Sequence, residues 1–283
     1  NTAVNKMQTH FSALFAKQCR CALAFSSSRA LHSLARSSVV KPRHALAKPL
    51  GGLLWSFASF STKPTDEVRQ LWRTADAVCF DVDSTVCTEE GIDVLADHLG
   101  VGDAVANLTK SAMEGGMGYR ESLAARLQLM QPSKSAVDKC IAEHPGVLSP
   151  KIADLVNALH SKGKAVFLVS GGFKQLIAPT AAALKIPPQN LFANVLLFNG
   201  DTYSGFDEDQ PTSKTGGKAV VVKMLAEKHG FKRVIMIGDG ATDMEARPPA
   251  VAFIGYGGVV TRSAVQAGAD WFVTDFQDLI DGL

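Results

Sequence analysis

The chain has 283 residues, with 29 basic and 27 acidic side chains, a net charge of +2 and five cysteines. Its apolar runs fall short of the about 20 residues that a bilayer-spanning helix needs. The cysteines beyond residue 65, namely Cys79, Cys87 and Cys140, are odd in number and lack metal-type spacing, which argues against a disulfide framework and a zinc pattern.

The near-neutral total hides an asymmetry. Residues 1–65 hold nine Lys or Arg and no acid, so the remaining 218 residues carry 20 basic and 27 acidic side chains, a net −7. The leader is also rich in Ser and Ala, with Ser26-Ser27-Ser28 and Ser37-Ser38. This is the composition of an organelle transit peptide, expected to be disordered and to direct the protein to a plastid (chloroplast), with the mitochondrion as the alternative. The rival reading is a basic arm for nucleic acid or an anionic membrane. For the body we expect neither of those partners, only a small molecule.

After the leader, a helix is expected from about Thr65 to Arg73. Ala77-Val78-Cys79-Phe80 then reads as a buried strand of a parallel sheet, and it breaks into Asp81-Val82-Asp83-Ser84-Thr85. Alternate strand residues point to opposite faces. Both carboxylates therefore reach one ligand only if the strand ends by Asp81 and a tight, irregular turn follows. Residues 89–149 show helical periodicity, with Ile92, Leu95, Ala96 and Leu99 on one apolar face and Leu123, Leu127 and Met130 on another. They read as a helical cap domain inserted after the first strand.

The α/β pattern resumes with a helix from Ile152 to His160, a strand at Ala165–Val169 running into Ser170-Gly171-Gly172, and a helix from Phe173 to Leu184. Val195–Phe206 reads as a hairpin turning at Asn199-Gly200. A helix opens at Gly216-Gly217-Lys218, a strand at Val234–Ile237 ends in Gly238-Asp239-Gly240-Ala241-Thr242-Asp243, and two short strands, 252–254 and 271–273, flank a last helix. The expected fold is α/β: a doubly wound, Rossmann-like parallel sheet with an inserted helical cap and a small β-hairpin. The expected boundaries are 1–65 for the leader, 66–88 with 150–283 for the core, and 89–149 for the cap.

Ligands of such sheets bind beyond the carboxyl ends of the strands, which is where Asp81, Asp83, Ser170, Asp239 and Asp243 fall, with Lys218 at a helix start. Several carboxylates, a lysine and a hydroxyl beside glycines match the needs of phosphoryl transfer: a nucleophile, a bridging cation and fixed donors for phosphate oxygens. An all-oxygen donor set favours Mg²⁺ over Zn²⁺.

The order Asp-Val-Asp-Ser-Thr, Val-Ser-Gly-Gly, Gly-Gly-Lys and Gly-Asp-Gly-Ala-Thr-Asp resembles the four motifs of the haloacid dehalogenase superfamily. With Glu89-Glu90-Gly91-Ile92-Asp93 it resembles that superfamily's phosphoserine phosphatase family, over essentially all of residues 66–283. The resemblance implies a Mg²⁺-dependent phosphomonoester hydrolase converting L-phosphoserine to L-serine and phosphate, the last step of phosphorylated serine biosynthesis, as a monomer or homodimer. It implies Asp81 as the nucleophile forming an aspartyl-phosphate and Asp83 as general acid and base. Ser170, the Gly171 N–H and Lys218 would hold the phosphate, and Asp81, the Asp83 carbonyl, Asp239 and Asp243 the metal. In the cap, Glu90 would meet the substrate ammonium and Arg126 its carboxylate, with Met113 and Tyr119 as an apolar wall. Tyr119 departs from the family's usual Phe, so its hydroxyl needs a partner. Asp207 and Thr212 are weaker candidates for closing the site. Two alternatives stand beside this reading: a phosphatase of the same superfamily for another small phosphorylated metabolite, and a phospho-accepting signalling domain.

Overall fold

A computed structural model describes residues 61–283, with the side chains of 113–115 excepted. Most of the expected leader lies outside the described residues. Its last five residues lie inside: the Thr62 N–H donates to Phe272 O (2.8 Å), and Thr65 caps the first helix, α1 (Asp66–Arg73), by accepting from Val68 N.

In chain order the strands are β1 (Ala77–Phe80), β2 (Ala165–Phe173), β3 (Leu191–Asn194), β4 (Leu196–Asn199), β5 (Thr202–Phe206), β6 (Val234–Gly238), β7 (Ala252–Tyr256) and β8 (Trp271–Val273). Six of them form one parallel sheet in the order β3-β2-β1-β6-β7-β8, and β4 and β5 form a separate antiparallel hairpin. β1 is central, with Phe80 in register with Leu168 on one side and Ile237 on the other. The chain steps to opposite sides of β1 when it enters β2 and β6, so a crevice opens beyond the end of β1.

The pleat divides the core into two layers. Val78, Phe80, Leu168, Ile235 and Ile237 pack with α6 (Ile152–Ser161), α7 (Lys174–Ala183) and α11 (Gln277–Asp281). Ala77, Cys79, Phe167, Met236 and Phe253 pack with α8 (Gly217–His229) and α10 (Ser263–Gly268) on the other face. Each large apolar side chain buried this way contributes on the order of 2 kcal/mol. No helix among the described residues is long and apolar enough to cross a membrane.

Four helices are inserted between β1 and α6: α2 (Gly91–His98), α3 (Gly102–Gly115), α4 (Tyr119–Met130) and α5 (Lys134–Glu143). The expected apolar faces meet in a third cluster, where Leu95, Ala96, Leu123, Leu127 and Met130 are buried with Val105, Val137 and Cys140. Phe173, Leu196 and Phe206 join it, so the hairpin packs into the insert. Asp201 in the hairpin turn fixes the start of α5, accepting from Ser135 N (2.6 Å) and Ser135 Oγ (2.9 Å).

Three details differ from or refine the sequence expectations. β2 continues through Ser170-Gly171-Gly172 to Phe173, with a register shift between Val169 and Phe173. β3 is an additional edge strand, too short for its periodicity to register and separated from β4 by Val195 alone. The expected tight turn is present: β1 ends at Phe80, and residues 82–86 form one wide turn closed by Cys87 N–H to Val82 O (2.8 Å). Ser84 sits within it at φ +54°, a left-handed conformation that costs a non-glycine residue about 1 kcal/mol.

Asp76, just before β1, ties the sheet edge together by accepting from Lys232 N and Arg233 N, both at 2.8 Å, and from Arg233 Nη2 at 3.3 Å. Burial alone would raise its pKa, but the Arg233 and Lys232 N–H groups and the Arg233 charge outweigh it and hold the carboxyl below its ordinary value. A folded-state pKa below the unfolded one gives stability that is present above the unfolded pKa and lost as pH falls through the folded one. Asp76→Ala should therefore lower stability at pH 7 by about 1–2 kcal/mol. In denaturant melts the gap between wild type and variant should narrow as the pH is taken from neutral towards 3. A gap that stays constant across this range would show that the Asp76 carboxylate is not what matters.

Candidate active site

Asp81 follows the last residue of β1 in extended backbone, and its carboxylate is buried at the floor of the crevice. Oδ1 accepts from Val82 N (2.7 Å) and pairs with Lys218 Nζ (2.7 Å). Oδ2 accepts no hydrogen bond among the described residues. One oxygen is therefore pinned and the other is left for a ligand.

The wide turn brings Asp83 back to the same side. Its Oδ1 accepts from Gly91 N (2.8 Å) at the start of α2, and its Oδ2 from Ser170 Oγ (3.2 Å) within β2. Burial pushes its pKa up to about 7; the charges of Asp81 and Glu90 add to this, while the Gly91 and Ser170 hydrogen bonds oppose it. Such a carboxyl can both give and take a proton near neutrality. Ser170 is fully buried and also accepts from Gly172 N (2.8 Å), so it braces Asp83 and the glycine turn together. Glu90, half-buried, accepts from Ser84 Oγ (2.7 Å), and burial raises its pKa.

Beyond β6, Asp239 and, on the short helix α9 (Ala241–Met244), Asp243 complete a cluster. Lys218, on the first turn of α8, places its ammonium between Asp81 Oδ1 and Asp243 Oδ1 at 2.7 and 2.6 Å. Burial opposes the lysine charge, but Asp243 and Asp81 overcome this and raise its pKa. Burial, then the Asp81 charge, pushes Asp243 up, and the same two causes in the same order raise Asp239. Asp239 also pairs with Arg262 (3.0 Å) and accepts from Thr85 Oγ1 (3.3 Å). Gly238 makes room for this crowding: a Cβ there would lie 2.2 Å from Asp243 Cγ.

Carboxylate oxygens of Asp81, Asp239 and Asp243 lie within 4.8 Å of one another, and all three residues are buried. A buried all-carboxylate set, with Asp239 and Asp243 pushed up by burial and by the Asp81 charge, fits a hard divalent cation.

Above the floor is a cavity of about 220 Å³ lined by Asp81, Asp83, Glu90, Tyr119, Arg126, Gly171, Lys218 and Asp239, and also by Thr212, Lys214, Gly216, Thr242 and Arg262. Arg126, half-buried on α4, donates through Nε to Ser122 O (3.3 Å) and forms no ion pair among the described residues. The Tyr119 hydroxyl finds its partner in the Gly171 carbonyl (2.8 Å), which also accepts from Asn194 Nδ2 (2.7 Å). A side chain at position 171 would collide with it, since a Cβ would lie 2.2 Å from the tyrosine oxygen.

Of the expected residues, Ser170 and Asp243 sit just behind the lining, and the Met113 side chain lies outside the described residues. Asp207 does not reach the cavity: it accepts from Asp209 N and Gln210 Nε2 and shapes its own loop. Thr212 lines the cavity while donating to Asn194 Oδ1 (3.1 Å). Sequence reasoning missed Arg262 and Arg120. Arg120 reaches from α4 to Glu208 O (2.8 Å) and Ser213 Oγ (2.7 Å), joining the insert to the loop before α8. Neither arginine adjoins a motif, and their partners are 23 to 93 residues away.

The model of the haloacid dehalogenase-like hydrolases matches residues 75–248. A phosphoserine phosphatase of Bos taurus is 52% identical over 219 residues, spanning 77% of this chain and 97% of that protein. A chloroplastic phosphoserine phosphatase of Arabidopsis thaliana is 51% identical over 223 residues, spanning 78% and 76%. Among solved structures, a phospho-aspartyl intermediate analogue of phosphoserine phosphatase aligns with a TM-score of 0.64 at 25% identity, covering 73% of this chain and 98% of that one. The chain belongs to the phosphoserine phosphatase family of the haloacid dehalogenase-like hydrolases.

Proposed function

We propose that this protein hydrolyses L-phosphoserine to L-serine and phosphate. One juxtaposition carries the reading: a single cavity sets an Asp81 oxygen that is unbonded among the described residues at its floor, and on its walls Arg126, which has no ion pair among them, with a carboxylate, Glu90. Phosphate at the floor leaves the ammonium and carboxylate of an amino acid to Glu90 and Arg126, and an Arg fork suits a carboxylate.

In the first displacement Asp81 Oδ2 attacks phosphorus as the bond to the serine oxygen breaks, and Asp83 delivers its proton to that oxygen. In the second, Asp83 takes a proton from water, which attacks the aspartyl-phosphate and restores Asp81. Both Asp83 oxygens are engaged by Gly91 and Ser170, so Asp83 exchanges a partner to serve the leaving oxygen. Ser170, the Gly171 N–H and Lys218 hold phosphate oxygens. Asp81, Asp239, Asp243 and the Asp83 carbonyl are the groups that would hold Mg²⁺, which when bound offsets the crowded carboxylates and draws charge from the phosphate. The helical insert acts as the cap that keeps water out, with the Tyr119 ring as part of its apolar wall. The acid-free, Ser-rich leader, together with the chloroplastic name of the Arabidopsis relative, supports delivery to a plastid.

A panel of phosphomonoesters read by released phosphate should show phosphoserine strongly preferred, with activity abolished by a chelator and restored by Mg²⁺. Equal turnover of unrelated esters would defeat the assignment. Asp81→Asn should lower turnover at least about a thousandfold, whereas Asp83→Asn should still bind phosphate; full activity in either variant would remove its role. Arg126→Ala should raise KM for phosphoserine about tenfold or more and leave an ester lacking a carboxylate nearly unaffected, and an equal effect on both would take Arg126 out of carboxylate recognition.

A further inference from the structure

At the end of the insert away from the cavity, α2 and α5 finish side by side. His98 is the last residue of α2; Glu143 is the last residue of α5, and His144 follows as its C-cap. One ligand atom from each of the three lies within 4.8 Å of the others. His98 Nδ1 is 3.4 Å from Glu143 Oε2, and the two imidazoles meet edge to face with centroids 6.0 Å apart. Lys139 Nζ approaches the other carboxylate oxygen of Glu143 at 3.8 Å.

We propose that His98, Glu143 and His144 form a second metal site, selective for a borderline-soft divalent cation such as Zn²⁺. Two imidazoles and one carboxylate are a zinc-type donor set, and they leave positions open for water. The two helix C-termini add the partial negative charge of the aligned peptide dipoles, which favours a cation. An ion pair between His98 and Glu143 does not require the second imidazole, whereas a metal uses all three. The contrast with the carboxylate cluster is one of donor hardness: three oxygens there, two nitrogens and an oxygen here.

The position gives the site a consequence. α2 runs about 12 Å from His98 to Gly91, whose N–H holds Asp83, and Glu90 precedes it at the cavity wall. A metal joining the ends of α2 and α5 braces the helix that presents both groups.

The test uses the full chain in excess Mg²⁺, so that the carboxylate cluster is occupied, with Zn²⁺ titrated against a chromogenic chelator and thermal melts run in parallel. One equivalent of Zn²⁺ should bind and raise the melting temperature. His98→Gln and His144→Gln should each weaken that binding at least about tenfold, while zinc-free melting and Mg²⁺-supported phosphate release stay at wild-type levels. Co²⁺ in place of Zn²⁺ should give a visible absorption band that both variants lose. No bound equivalent in the wild type, or one that persists in either variant, overturns the site.

Discussion

The ammonium of Lys218 is the interaction on which the rest of the site depends. It is the buried cation between Asp81 and Asp243; Asp81 follows β1, and Asp243 lies on the short helix that follows the adjacent strand, β6. Removing one partner from such a buried arrangement costs on the order of 3–5 kcal/mol, because the others are left as uncompensated charge. The lysine must therefore arrive at a fixed height. It does so because α8 starts tightly against the preceding loop: Gly217 passes so close to Pro211 that a Cβ would lie 2.0 Å from its carbonyl oxygen. One lysine and Arg262 face three buried carboxylates, so the floor carries a surplus of negative charge that suits a cation and is more than a folded-in ion pair.

The upper half of the cavity has a different origin. Glu90, Tyr119 and Arg126 come from the insert, whose apolar interior is built separately from the two layers around the sheet. The insert is nonetheless fastened to the sheet at the glycine turn, through Gly91 on Asp83 and Tyr119 on Gly171. Glu90 and Arg126 on the cavity wall are thereby indexed against Asp81, Asp83 and Lys218 at its floor.

Much of this was legible in the sequence because strands and motifs coincide. Asp81, Ser170 and Asp239 each follow an apolar run at once, and Lys218 and Asp243 open helices, so chain order alone lines them up along one edge. Helical spacing likewise exposed Leu95, Leu123 and Leu127 as interior positions. What was not legible rests on encounters between distant segments. The Arg262 partner of Asp239, the Arg120 contacts with Glu208 and Ser213, and the meeting of His98 with His144 leave no periodic trace. β3 was missed for a local reason, its four residues merging with the hairpin that follows.

Tyr119 and Arg120 are consecutive residues in the first turn of α4, and one clasps Gly171 of the sheet while the other clasps Glu208 and Ser213 of the loop before α8. The seam between the two halves of the cavity is thus closed by a short stretch of backbone whose hydrogen bonds point in two directions. The tyrosine hydroxyl adds a bond that a phenyl ring could not make, so this chain keeps its roof and floor together with one more tie. Both ties spring from that one turn, so they form or are lost together.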